Sequence, residues 1–102
     1  RRDWIARTTR ALRGFDALVC PTVPITAPPI ALLLASDDAF FNANGLLLRN
    51  PFAINFLDGC AFSLPCQRAG DLPVGLMLAA PGGQDAQLAA VARAVESALQ
   101  TR

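Results

Sequence analysis

Seven consecutive residues, Val74-Gly75-Leu76-Met77-Leu78-Ala79-Ala80, carry no polar side chain. A strand with one face in water alternates apolar and polar residues, so a run that is apolar throughout predicts a strand covered on both faces. A chain of 102 residues has few helices to provide two covers. The stretch is therefore expected to be an inner strand of a larger α/β protein. A second apolar run, Ala61 to Cys66, precedes it across the polar turn Gln67 to Pro73, and so short a connection predicts an antiparallel pair.

The neighbouring segments read as elements that could flank such a pair. Residues 3 to 14 predict a helix with Trp4, Ile5, Ala11 and Leu12 on its apolar side and Gly14 as its stop; the pattern is already under way at Arg1, so the helix is expected to begin upstream. Phe15 to Cys20 predicts a short buried strand ended by Pro21, which cannot donate to a ladder. Pro21 to Pro29 holds four prolines, which fix their own backbone and extend the residue before each, predicting an extended arm packed on a protein surface through Val23, Ile25 and Ile30. Between Ala31 and Arg49 the signals are local: Ser36-Asp37-Asp38 to cap a short helix, Asn42-Ala43-Asn44-Gly45 to turn the chain. Asn50 and Pro51 predict a new helix start with Phe52 to Leu57 as its body and Gly59 as its end. Pro81-Gly82-Gly83 breaks the apolar strand, and from Gln84 or Asp85 as cap a helix follows with Leu88, Val91, Ala92, Val95 and Leu99 on one stripe. With no repeat and no linker, residues 1–102 read as one part of a single domain.

Composition narrows the function classes. The formal charge is +1 from nine arginines against eight acids, with no lysine, too weak a field to draw in nucleic acid or an anionic membrane. Arg1, Arg2, Arg7, Arg10 and Arg13 do crowd the first helix, but no aromatic stacking set accompanies them, and a solvated helix face accounts for them better than an RNA or DNA patch. No apolar run approaches the roughly 18 residues that span a bilayer. Cys20, Cys60 and Cys66 are odd in number and lie among apolar residues and prolines, which reads as reduced thiols in a cytoplasmic protein. Without histidine or paired Cys-x-x-Cys spacing, neither a metal site nor a cofactor is expected.

Acid–base chemistry has little to work with. The chain lacks His, Lys and Tyr, and the serines Ser36, Ser63 and Ser97 have no sequence-level base beside them. Ser63, inside a predicted strand, reads as a small core or near-core residue. Neither a nucleophile elbow nor a Gly-rich phosphate loop is present, and Gly82-Gly83 reads as a strand-to-helix turn. Asp58 is the unusual carboxylate, flanked by Leu57 and Gly59; it reads either as a turn aspartate bonded to nearby amides or as a substrate contact. No catalytic residue is expected in this segment.

The wording and order of these pieces identify a relative. Asp16-Ala17-Leu18-Val19-Cys20-Pro21-Thr22 with Pro24, Ala27 and Pro28, then Asn55, Ala61-Phe62-Ser63-Leu64-Pro65-Cys66, Leu72-Pro73-Val74-Gly75-Leu76-Met77-Leu78 and a last helix from Asp85 together resemble the C-terminal part of the amidase signature family. The resemblance implies an α/β/α fold with a mixed sheet flanked by helices, of which this chain is a C-terminal fragment. It implies hydrolysis of the C–N bond of a carboxamide through an acyl-serine, the nucleophile being activated through a second serine and a lysine that lie outside this chain. The expected partners are then the N-terminal remainder of the domain and a small-molecule amide, with neither nucleic acid nor membrane. Leu57-Asp58-Gly59-Cys60-Ala61 is similar to the wording of allophanate hydrolase and related small-amide hydrolases. Asn55, Asp58 and Cys60 are accordingly the expected pocket-proximal residues. The segment alone is expected to be inactive, and the rival reading is a non-catalytic scaffold or binding subunit derived from an amidase.

Overall fold

A computed structural model describes all residues, 1–102. It is mixed α/β: α1 (Arg2–Ala11), β1 (Leu18–Pro21), α2 (Ile30–Ala35), α3 (Asp37–Phe56), β2 (Cys60–Pro65), β3 (Gly75–Ala80) and α4 (Asp85–Gln100). The three strands form one sheet in the order β1-β3-β2, antiparallel throughout. The strand without polar side chains is the central one.

Its two faces are covered by different helices, as its lack of alternation requires. Leu78 and Ala80 pack with Leu64 of β2 and with Leu88 and Ala92 of α4, while Val95 and Leu99 extend the same contact. On the opposite face Met77 and Ala79 pack on Ile54 of α3, with Cys20 of β1 beside them. The stripe read on α4 is thus the core stripe of one layer, its Leu88 fully buried.

Several expected boundaries shift. α1 stops at Ala11, before Gly14, which takes φ +84 in the following turn. β1 begins at Leu18 and includes Pro21, whose missing N–H is tolerated because β1 pairs only with β3 and is an edge. Neither Gln84 nor Asp85 caps α4 with its side chain; Gln84 merely holds the cap position.

The larger correction lies in α3, a single helix of 20 residues. No turn forms at Asn42 to Gly45, and no new helix starts at Asn50. Ser36 does cap it, accepting the Ala39 amide at 3.2 Å. The helix runs through Gly45 and even through Pro51, whose ring nitrogen has no hydrogen for the Leu47 carbonyl four residues back. Asparagine and glycine cost about 1 kcal/mol or less each and an interior proline about 3 kcal/mol, whereas Leu46, Leu47 and Leu48 are among the good helix formers and Ile54 is anchored on the sheet.

Little of the molecule is internal. Nine residues are buried, and the accessible surface is 7238 Å². A compact chain of 10.8 kDa exposes about 5,500 Å², an excess here of about 1,700 Å². The shape agrees: the extents are 46 × 39 × 17 Å with a radius of gyration of 15.8 Å, against about 13 Å for a compact chain of this length.

Candidate functional site

The three residues singled out from sequence share one turn. α3 ends at Phe56 with Leu57 as its cap. The Gly59 amide then donates back to the Ile54 carbonyl at 3.0 Å and the Asp58 amide to the Asn55 carbonyl at 3.1 Å. This pair of bonds is a Schellman closure, which places the residue after the cap in the left-handed region. That residue is Asp58, at φ 56. Sequence reasoning gave the terminating role to Gly59, but Gly59 is needed for a different reason: a Cβ there would sit 2.6 Å from the Ala80 carbonyl oxygen.

Arg1 holds this turn from outside. Its Nη2 lies 2.5 Å from Asp58 Oδ1 and 3.5 Å from the Asn55 carbonyl oxygen, and its Nε donates to the Phe56 carbonyl at 3.1 Å. Its guanidinium also lies 5.4 Å from the centre of the Phe56 ring, which in turn packs on Trp4 at 5.3 Å. A cation donating to the last carbonyls of a helix suits the negative end of the helix dipole. Asp58 is thus a turn aspartate with its carboxylate engaged by Arg1, and Asn55 contributes its backbone rather than its side chain.

Cys60 turns the other way, half-buried against the α4 layer, with its Sγ 3.6 Å from the Pro81 carbonyl oxygen. Burial pushes its thiol above the ordinary range, and the negative charge of Asp85 adds to the shift. Burial raises Cys20 as well. Both are neutral thiols at pH 7, poor nucleophiles.

A second polar feature lies at the far end of β3, five residues or about 17 Å along the strand. Thr22 Oγ1 and Ser63 Oγ are 2.6 Å apart, one following β1 and one in β2, so their bond bridges the two outer strands across the central one. Gly75 lies beneath it. A Cβ there would meet Ser63 Oγ at 2.6 Å and Thr22 Oγ1 at 2.7 Å. Thr22 is fixed by its amide, which donates to the Gly75 carbonyl at 2.9 Å. The Asn50 side chain, on the middle of α3, donates to the Pro21 carbonyl at 2.8 Å and ties the start of the arm to the helix. Ser63 is therefore an exposed, hydrogen-bonded residue and not a core one.

Beside this bridge the proline arm and the Pro73-to-Leu76 segment enclose a groove of about 580 Å³, lined by Val19, Val23, Ile25, Cys66, Val74 and Leu76 among others. It is apolar and contains no charged residue. Asn55, Asp58 and Cys60 are not among its walls. The sequence held a signal for this end of the sheet, since a glycine inside a strand marks a close approach.

No serine here has a basic partner. Ser36 is spent as a helix cap, Ser63 shares its hydroxyl with another alcohol, and Ser97 stands on α4. No three His, Cys, Asp or Glu side chains gather as a metal-binding group.

Comparison with known proteins decides what this arrangement derives from. The amidase family profile matches residues 1–89. The chain belongs to the amidase family. It is 36% identical over 91 residues to a glutamyl-tRNA(Gln) amidotransferase subunit of Salinispora arenicola, covering 89% of this chain and 18% of that protein. It is 34% identical over 86 residues to indoleacetamide hydrolase of Allorhizobium ampelinum, covering 81% of this chain and 19% of the relative. With 2-amino-5-chloromuconic acid deaminase of Comamonas testosteroni it shares 31% identity over 93 residues, covering 90% and 20%. This amidase segment thus spans about a fifth of the length of the curated relatives it matches. No solved structure matches. No helix is long and apolar enough to cross a membrane.

Proposed function

We propose that the chain is the C-terminal segment of an amidase that hydrolyses a carboxamide, with the serine nucleophile and its lysine-linked activation supplied by residues outside residues 1–102. The observation that carries this reading is the family match over residues 1–89, joined to relatives about five times longer. The chemistry within the chain agrees: an alcohol paired with an alcohol has no base to take its proton, and the half-buried thiols are neutral.

In the intact polypeptide this segment supplies sheet, covering helix and part of the wall of the acyl-substrate pocket. Two stretches are proposed for that wall: the turn of Asn55, Asp58 and Cys60, and the apolar groove beside the proline arm. The substrate is then a small amide, and the enzyme works in the cytoplasm.

The test is covalent trapping. A fluorophosphonate, which phosphonylates activated serines with loss of fluoride, followed by peptide mapping of the intact polypeptide, should place the adduct outside residues 1–102 and abolish release of ammonia from carboxamides. An adduct on Ser36, Ser63 or Ser97 would overturn the reading. For the turn, Asp58→Ala in the intact polypeptide should alter hydrolysis of at least one small amide; unchanged kinetics on all of them would take Asp58 out of the pocket.

A further inference from the structure

Fourteen large hydrophobic residues remain exposed, and eight of them, Ile30, Leu32, Leu34, Phe40, Phe41, Leu46, Leu48 and Phe52, belong to α2 and α3, while none belongs to α4. α4 has one apolar stripe, and that stripe is already used on the sheet. α3 is built differently. From Ala39 to Phe56 it has a single charged residue, Arg49, and its apolar residues run around the whole circumference, Leu46-Leu47-Leu48 being consecutive. A helix apolar on all sides belongs in an interior. Yet only Ile54 of its 20 residues is buried, and its Phe41 is 66% exposed, while Leu34 of the adjoining α2 is 83% exposed.

We propose that the α2–α3 layer is the docking surface for the rest of the same amidase domain, which closes over it so that α3 becomes internal while the polar face of α4 stays in solvent. This rests on the reading of the chain as a segment of a longer amidase, and it adds which face is covered. Three observations select that occupant. The relatives extend about five times beyond the length matched here. The surface in excess of a compact chain, about 1,700 Å² over the whole molecule, leaves room for an extensive permanent contact, since a standard interface takes roughly 800 Å² per partner. The covered face would also be continuous with a core that already exists, since Ile54 of the same helix packs on Met77 and Ala79.

The experiment reads accessibility rather than activity, so it stands apart from the amide chemistry. In the intact polypeptide, Phe41→Cys is labelled with a maleimide under native conditions and mapped by mass spectrometry, with Ala94→Cys on the exposed side of α4 as reference. Protection of residue 41 by at least 100-fold relative to residue 94 is the expected result, whether or not carboxamides are hydrolysed. Equal labelling of the two in the folded polypeptide would overturn the proposal. Phe41→Glu should lower the thermal midpoint of the intact polypeptide by 10 °C or more, or leave it insoluble, while Ala94→Glu shifts it by under 2 °C. A Phe41→Glu polypeptide that melts with the wild type would also overturn it, as would protection of residue 41 that disappears on dilution, which would make a second copy the occupant.

Discussion

Gly75→Ala is expected to destabilise the protein although alanine is the better residue by intrinsic preference. The backbone at Gly75 does not have positive φ, so replacing glycine should gain about 0.4–1 kcal/mol by restricting the unfolded chain. Against this stands the hydroxyl bridge. The new methyl would lie 2.6 Å from Ser63 Oγ, 2.7 Å from Thr22 Oγ1 and 3.2 Å from Thr22 Cβ. Relieving the first two breaks the Thr22–Ser63 hydrogen bond, worth about 0.5–1.5 kcal/mol, and displacing the Thr22 backbone adds overpacking strain of about 1–3 kcal/mol. The steric side wins, with a net loss of about 1–3 kcal/mol. Ser63→Ala alone should cost only about 0.5–1 kcal/mol, because both hydroxyls reach water. In the double variant the space left by Ser63 Oγ lets the Thr22 hydroxyl rotate away, so the two costs should fall short of their sum by at least about 1 kcal/mol. The assay is urea unfolding of the intact polypeptide for the wild type, both single variants and the double variant. Strict additivity, or a Gly75→Ala variant as stable as the wild type, would refute the idea that the glycine exists to admit the bridge.

Other expectations follow from the packing and the turn. Leu88→Ala removes a fully buried side chain from the α4 layer and should cost about 2–5 kcal/mol, read as a lower urea midpoint at unchanged slope. At Asp58, held at φ 56, alanine should cost about 1 kcal/mol because it loses both the Arg1 pair and aspartate's tolerance of the left-handed region. Glycine there should be near neutral, since relief of the backbone offsets the lost pair; alanine outperforming glycine in thermal melts would contradict the Schellman assignment. Cys60 and Cys20, both raised by burial, stay protonated in the folded state where an unfolded thiol ionises. The unfolded state then binds fewer protons, so stability should be flat through neutral pH and fall as pH rises past the ordinary thiol value of about 8.5. Thiol labelling against pH should show both reacting later than a free thiol; early reaction at neutral pH would contradict their burial.

The parts legible in the sequence are those where every residue of an element answers to the same neighbour. β3 could be read as a central strand because each residue from Met77 to Ala80 is buried, alternately under α3 and α4. α4 could be read because its single stripe meets a single sheet. α3 could not, because Asn42, Asn44 and Gly45 are local breakers of about 1 kcal/mol or less each and Pro51 one of about 3 kcal/mol, and the helix nevertheless runs through all four. Its evenness, with no polar face to set a period, hid the helix and at the same time marked it as internal. The turn at Asp58 was half legible: a turn aspartate was one of two readings, but its carboxylate meets Arg1 instead of nearby amides, and the left-handed position fell to Asp58 while Gly59 was spent on approach to Ala80. The Thr22–Ser63 bridge joins residues 41 apart, and only the fold brings them together. Family membership was legible from the wording of the strands themselves, whereas the catalytic groups could not be placed on a chain with neither lysine nor histidine.

On the proposed reading, this chain completes an amidase domain while the reacting groups lie outside residues 1–102. Ammonia release from a panel of small carboxamides, measured for residues 1–102 alone, for the intact polypeptide, and for that polypeptide cut immediately before Arg1, tests it most directly. Activity in the intact polypeptide alone is the predicted result. Hydrolysis by residues 1–102 alone, or full activity in their absence, would contradict it.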